Sequence, residues 1–289
     1  KLPGVFSEKI VFIEKKKKNS TNQIYTCDID GSNLKQITNN RNLKLSPSWG
    51  KNYKSIIYTS YRKKNPDLYM LGVSSSRPKV VSKEPGINSG GIYDPRGDFV
   101  IYTGSSKNSV DLYSINLKTK KRHRLTFGKR GINVDPELSK DGEWLLYVSD
   151  SYGNPHIMKA KVNRFKYKGE SRITLGGHKR LTYTGWYNTI PSFSPDSQEI
   201  IYASYDKGDK RFDLFKINND GTNVLRLTSH SGNNEAPSWG PNGKNLVFHS
   251  NRDNPSSNNF QLYIMNKDGT NQRKINTGLY LAKDPKWGF

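Results

Sequence analysis

Cysteine occurs once in the 289 residues, at Cys27, so no intramolecular disulfide framework holds this fold together. Long apolar runs are missing too: no stretch nears the ~18 consecutive apolar residues that a membrane-spanning helix needs. Neither a G-x-S-x-G nucleophile elbow, nor a G-x-x-x-x-G-K-[ST] phosphate loop, nor an H-E-x-x-H zinc motif occurs. Negative charge is scarce, with 25 Asp and Glu against 47 Lys and Arg, a net charge of +22. The first residue is Lys1, with no Met and no apolar leader, which predicts a processed or trimmed chain whose targeting signal or further domain lies upstream.

The chemistry-bearing residues form no constellation. The five histidines (His123, His156, His178, His230 and His249) lack metal-ligand spacing, so no metal, cofactor or catalytic group is expected. The stretch DIDGSN (28–33) opens like a helix–loop–helix calcium loop, but position 12 is Asn39 where a bidentate Glu is required. The same pattern recurs as NNDGTN (218–223) and NKDGTN (266–271), and Asp-Gly pairs favour tight hairpin turns. Basic runs at Lys15–Lys18, 118–124 and 159–172 favour acidic partners. They are scattered rather than gathered on one recognition motif, so they read as solvated loops and no specific nucleic-acid binding is expected.

What is present is aromatic and periodic. Seventeen Tyr, eleven Phe and five Trp recur in regularly spaced clusters, which argues against disorder despite only 33% hydrophobic residues. Aligned on one aromatic or large apolar position, the chain yields Trp49, Tyr93, Leu138, Phe193, Trp239 and Trp287, separated by 44, 45, 55, 46 and 48 residues. Each unit continues with a short turn and a β-branched, aromatic run such as SIIYTS (55–60) or LVFHS (246–250). A third run such as DLYML or QLYIM and a short fourth run complete it. Such runs bounded by Gly, Pro, Asn and Asp read as strands, and four strands per repeat of this length indicate propeller blades.

The expected fold is all-β: a six-bladed β-propeller of four-stranded antiparallel blades. Residues 9–38 supply three strands without a first, and 281–289 supply a first strand without the rest, so the two segments should pair and close the ring. The expected blades are 281–289 with 9–42, then 43–86, 87–131, 132–180, 181–232 and 233–280. The 55-residue spacing places about ten extra residues in the fourth and fifth units, in a basic and aromatic stretch. Arg164, Lys166, Lys168 and Trp186 are its candidate contact residues.

The opening LPGVFSEKIVFIEKK, the unit APSWGPNGKNLVFHSNR…QLYIMNKDGTNQRKI and the terminal DPKWGF together resemble the propeller of the TolB family of the Tol–Pal envelope system. The resemblance covers essentially the whole chain. It implies a periplasmic, non-enzymatic platform, a monomeric propeller within a larger complex, preceded in the family by an α/β domain. The implied partner is Pal, a peptidoglycan-associated lipoprotein, or another envelope protein, bound where loops between blades reach the channel mouth. The positions matching that zone are Lys44 and Ser46, Asn88 and Ser89, Asn133 and Asp135, Asn188 and Thr189, Asn234 and Glu235, and Lys283 and Asp284. Two departures are visible: several units have Asn, Ser, Ile or Lys where the family favours an acidic residue before Pro, and SGGIYDPRG has no Pro at that position. With the charge of +22, these departures point to a divergent member whose partner, possessing an acidic surface, differs from Pal. The alternatives are the propeller of a peptidase or polysaccharide lyase, and a basic propeller that binds nucleic acid or another anionic polymer.

Overall fold

The computed structural model describes residues 8–288 except 63, 129, 130, 230 and 231. His230, Phe289 and most of the LPGVFSE segment therefore lie outside the described residues. Strands β1 (Lys9–Lys15), β2 (Gln23–Asp28) and β3 (Lys35–Gln36) come first, followed by β4 (Lys44–Trp49), β5 (Ser55–Ser60), β6 (Asp67–Gly72) and β7 (Lys79–Ser82). Next are β8 (Asn88–Tyr93), β9 (Phe99–Ser105), β10 (Ser109–Asn116), β11 (Arg122–Arg124), β12 (Gly131–Leu138), β13 (Trp144–Ser149), β14 (His156–Tyr167) and β15 (Glu170–Arg180). The chain ends through β16 (Tyr187–Phe193), β17 (Glu199–Asp206), β18 (Arg211–Asn218), β19 (Leu225–Arg226), β20 (Asn234–Trp239), β21 (Asn245–Ser250), β22 (Gln261–Asn266), β23 (Arg273–Lys274) and β24 (Leu281–Gly288). One short 3-10 turn, Lys51–Tyr53, is the helical element among the described residues.

The second strand of each repeat is buried on both faces, which explains runs such as IIYTS and LVFHS that do not alternate with polar residues. One face of each packs on the sheet before and the other on the sheet after. Ile56, Tyr58 and Tyr69, for example, meet Val11, Ile13 and Ile24, while Val247 and Leu262 meet Ile10, Phe12 and Trp287. The Asp-Gly segments form the expected turns: Gly31, Gly221 and Gly269 have φ of 89°, 91° and 87°. Asp30, Asp220 and Asp268 each accept a hydrogen bond from the Ser or Thr hydroxyl two residues on.

The termini pair as expected. β24 lies antiparallel to β1, so its sheet runs β24-β1-β2-β3. The inner strands make a closed circle of contacts: β4 with β8, β8 with β12, β12 with β16, β16 with β20, β20 with β24, and β24 back to β4. The Trp49 indole N–H donates to the Lys286 carbonyl at 3.1 Å and ties that seam.

One expectation is corrected. In place of six separate four-stranded sheets there are four of these and one eight-stranded sheet. Strands β8–β11 and β12–β15 are each antiparallel sets, joined by a short parallel pairing of Ser109 with Gly131 and Val110 with Ile132. Beside this junction lies Asp111, a fully buried carboxylate on β10. It accepts from Thr126 Oγ1 (2.8 Å), Gly128 N (3.1 Å) and Asn133 Nδ2 (3.1 Å), and so ties the connection and β12 to its own strand. The two halves still pack through side chains, with Phe99, Ile101 and Leu112 against Leu145, Tyr147 and Met158.

Each inner strand also carries a bulge. The paired register shifts after Leu45, Ser89, Val134, Thr189 and Glu235, and β24 shifts against β1 near Lys283. At the bulge the backbone is left-handed: φ is 48° at Ser46, 59° at Gly90, 52° at Asp135, 48° at Ile190, 49° at Ala236 and 53° at Asp284. Bulges bend a strand and re-aim its side chains, and here they tilt the inner strands around the axis.

Candidate functional site around the axial channel

The inner strands enclose a channel with two chambers. The first is bounded by the bulge residues and by Pro47, Pro136, Pro191 and Pro285. The second, about 420 Å³, opens at the other end among Trp49, Tyr93, Phe193, Trp239 and Trp287. Ser48, Ile92 and Lys286 border both chambers. Lys286 Nζ donates to Glu137 Oε2 at 3.1 Å, and these residues sit on strands three places apart in a circle of six, so their ion pair crosses the axis.

The residues expected at the mouth separate into two layers. Lys44, Asn88, Asn133, Asn188 and Asn234 are buried beneath the rim rather than displayed on it. Lys44 Nζ is spent on Asn40 O (2.8 Å), Asn40 Oδ1 (2.6 Å) and Asn42 O (2.5 Å), and burial pushes its ammonium down to about 8. The asparagines fasten each inner strand to the preceding repeat: Asn88 Nδ2 donates to Glu84 O, Asn133 to Asp111, Asn188 to Pro155 O and Asn234 to Asp213. Ser46 is exposed, whereas Ser89, Asp135, Glu235, Lys283 and Asp284 are half-buried. Thr189 is buried and donates its hydroxyl to Asp135 Oδ2 at 2.7 Å.

That second layer places three carboxylates in the throat. Burial raises Asp135 above the usual carboxylate range, opposed by the Thr189 hydroxyl, and the charge of Asp284 raises it further. Asp284 is raised by burial, opposed by Lys283 and Lys286. Glu235 is pushed up to about 7, first by burial and then by Asp284. His249 lies beneath them; its Nδ1 accepts the Asp284 N–H at 3.0 Å, and burial together with Lys283 drops the ring to about 3, so it is neutral. Glu137, Lys286 and His249 were not foreseen as site residues. Counting alternate inward positions along β12 and β24 points to the first two, whereas His249 reaches the site from a second strand.

The accessory group also divides. Trp186 is exposed beside the channel mouth with Lys207 Nζ 3.0 Å above its ring, while Arg164 bonds the turns that follow β8 and β12, at the other end of the sheet. Among the described residues no group of three or more His, Cys, Asp or Glu is placed to hold a metal ion.

A closed ring of antiparallel sheets around an axial channel, built from this repeat, defines a β-propeller of the TolB type. The family model described as PD40, the TolB beta propeller domain, matches residues 1–289, and the chain belongs to that family. It is 37% identical over 111 residues to the Tol-Pal system protein TolB of Desulfosudis oleivorans, covering 38% of this chain and 25% of the relative. Against the Tol-Pal system protein TolB of Bordetella pertussis it is 24% identical over 270 residues, covering 82% of this chain and 61% of the relative. The crystal structure of TolB from Acinetobacter baumannii shares the fold with a TM-score of 0.80 at 24% identity, covering 99% of this chain and 67% of that one. The chain thus spans between a quarter and three-fifths of the length of these two curated relatives.

Proposed function

We propose that this chain is a non-enzymatic protein-interaction platform of the bacterial cell envelope, working in the periplasm. The observation that carries this reading is the family match along the whole chain. In this reading the eight-stranded sheet is two fused blades, the ring has six, and their boundaries follow the repeat spans given above. The partner is a Pal-type peptidoglycan-associated lipoprotein or another envelope protein, held at the channel mouth. Ser46, Ser89, Asp135, Thr189, Glu235, Lys283 and Asp284 form the contact layer, and Lys44, Asn88, Asn133, Asn188 and Asn234 shape it from beneath.

A throat of carboxylates within a cationic body suits a partner that inserts a positively charged or hydrogen-bond-donating tip while presenting acidic residues to the rim. The reading is tested by titrating the chain with the soluble domain of a Pal-type lipoprotein and with envelope extracts after crosslinking. Saturable binding weakened by Asp284→Ala with Glu235→Ala is expected. Absence of any envelope protein crosslinked to the mouth would overturn it.

A further inference from the structure

The β14–β15 hairpin is longer than the outer part of any other repeat. Its pairing continues to Tyr167↔Glu170, whereas β13 follows β14 only as far as Lys161. The protruding part leans back over the β8–β11 half of its sheet. Arg164 Nη2 donates to Asp94 Oδ1 (2.8 Å) and Gly142 O (2.7 Å), and Lys121 Nζ reaches Glu170 Oε2 at 3.0 Å. Between hairpin and sheet lies a cleft of about 740 Å³.

Seven Lys and Arg side chains line that cleft against three carboxylates. All three carboxylates are already engaged: Asp94 by Arg164, Asp98 by Lys118, and Glu170 by Lys121, Arg172 and His123. Among the described residues Lys166 and Lys168 have no carboxylate within ion-pair distance. Among the described residues four buried atoms of the wall have no hydrogen-bond partner, the donors Arg164 Nε and Arg172 Nε and the acceptors Asp94 Oδ2 and Glu170 Oε1. A cleft lined by more than twice as many cations as carboxylates, with two exposed lysines left outside any ion pair, describes a site short of an anion. Glu170 acts as the organiser: it holds Lys121 of the β10–β11 turn and Arg172 of β15 at one point and leaves the charge surplus around it.

We propose that this cleft binds a phosphate-class oxyanion carrying two or more negative charges, either as a soluble phosphate compound or as a phospholipid headgroup. It lies away from the channel mouth and is independent of the partner proposed there. Arg172 and the lysines of the hairpin tip supply the charge-assisted hydrogen bonds, and Phe165, half exposed, forms an apolar shelf for whatever the anion is attached to.

The test uses the full chain at constant ionic strength. Inorganic pyrophosphate is titrated by calorimetry, and co-sedimentation is measured with phosphatidylcholine vesicles with and without phosphatidylglycerol. Single-site pyrophosphate binding is expected, weakened about tenfold or more in Lys166→Ser with Lys168→Ser and in Arg172→Gln. It should be unchanged in Lys16→Ser with Lys17→Ser, which removes the same charge from the β1–β2 loop. Vesicle binding that shares these sensitivities identifies a lipid source; pyrophosphate binding alone identifies a soluble one. The lysine pair is exposed, so its variant keeps the test valid if Arg172→Gln fails to fold. No saturable binding of either probe, binding unaffected by the hairpin variants, or equal weakening by the β1–β2 loop variant would overturn the proposal.

Discussion

Lys286 and Glu137 meet across the axis of the propeller, Nζ to Oε2 at 3.1 Å, from inner strands on opposite sides of the ring. Each side chain is about one-fifth exposed, so the pair is neither a freely screened surface bridge nor a dry one. Lys286 also lies within electrostatic reach of Asp135 and Asp284, making it a shared counter-ion for both chambers. Lys286→Met should therefore destabilise the fold by roughly 1–3 kcal/mol and raise both aspartates further. A double-mutant cycle with Glu137→Gln, followed by denaturant unfolding, measures the coupling, about 1 kcal/mol being expected. A coupling of zero would show that the pair does not bridge in solution.

Glu14 offers a pH test. It is fully buried on β1, both carboxylate oxygens lack hydrogen-bond partners among the described residues, and burial pushes it up to about 8, with Lys16 opposing. In the unfolded chain it ionises near its ordinary value of 4.5, whereas in the folded chain it keeps its proton until about pH 8. The folded state therefore binds the extra proton, and stability falls as pH rises from about 4.5 to 8. Glu14→Gln should abolish that part of the decline. Melting curves at pH 5 and pH 8 read it directly: the variant should gain a few kcal/mol relative to wild type only at the higher pH.

The buried staple repeated between repeats can be removed at one place. Asp213 accepts from Thr228 Oγ1 (2.7 Å), Asn234 Nδ2 (2.9 Å), Arg211 Nε (2.9 Å) and Arg226 Nη2 (2.5 Å). Asp213→Ala leaves these donors without their acceptor and should lose roughly 3–5 kcal/mol. His156 occupies the corresponding place in another repeat, receiving Arg180 Nη2 at Nε2 (2.9 Å) and lying 3.2 Å from Thr182 Oγ1. Burial and Arg180 lower its pKa, so a neutral ring performs the task of a carboxylate there. Comparing unfolding free energies of Asp213→Ala and His156→Ala tests whether the charged staple is the stronger, as expected.

Ring closure rests on β24. Trp287 is 7% exposed and packs with Ile10, Phe12 and Val247, so Trp287→Ala should lose roughly 3–5 kcal/mol. Removing 281–289 leaves β1 an unpaired edge and should broaden or abolish the cooperative melting transition. An unchanged transition in the truncated chain would contradict the seam.

Much of this was legible in the residues. Strand runs, Asp-Gly turns and the pairing of 281–289 with 9–15 follow from periodicity, because a strand buried on both faces must be apolar throughout. The bulges were not legible. A residue before proline is biased toward extended backbone, yet Ser46, Asp135, Ile190, Ala236 and Asp284 are left-handed there. Fitting six inner strands around one axis overrides the local preference. In the third repeat Gly90 and Gly91 replace that pattern, and a Cβ on Gly91 would come within 2.8 Å of Leu68 Cδ2, so packing rather than turn chemistry keeps it bare. Nor could the sequence separate Asn88 or Asn234, buried staples, from the half-buried Glu235 beside them. That distinction depends on Glu84 of the β7–β8 connection and on Asp111 and Asp213, which other strands contribute.

The throat carboxylates have a further consequence in a body of net charge +22. At a distance an approaching molecule senses only the positive field, while at the mouth it meets Asp135, Glu235 and Asp284. A neutral or uniformly charged visitor gains from one zone at most. On the proposed reading a dipolar visitor, negative at its shoulders and positive or hydrogen-bond-donating at its tip, gains from both zones, so the charge layout would favour its end-on approach.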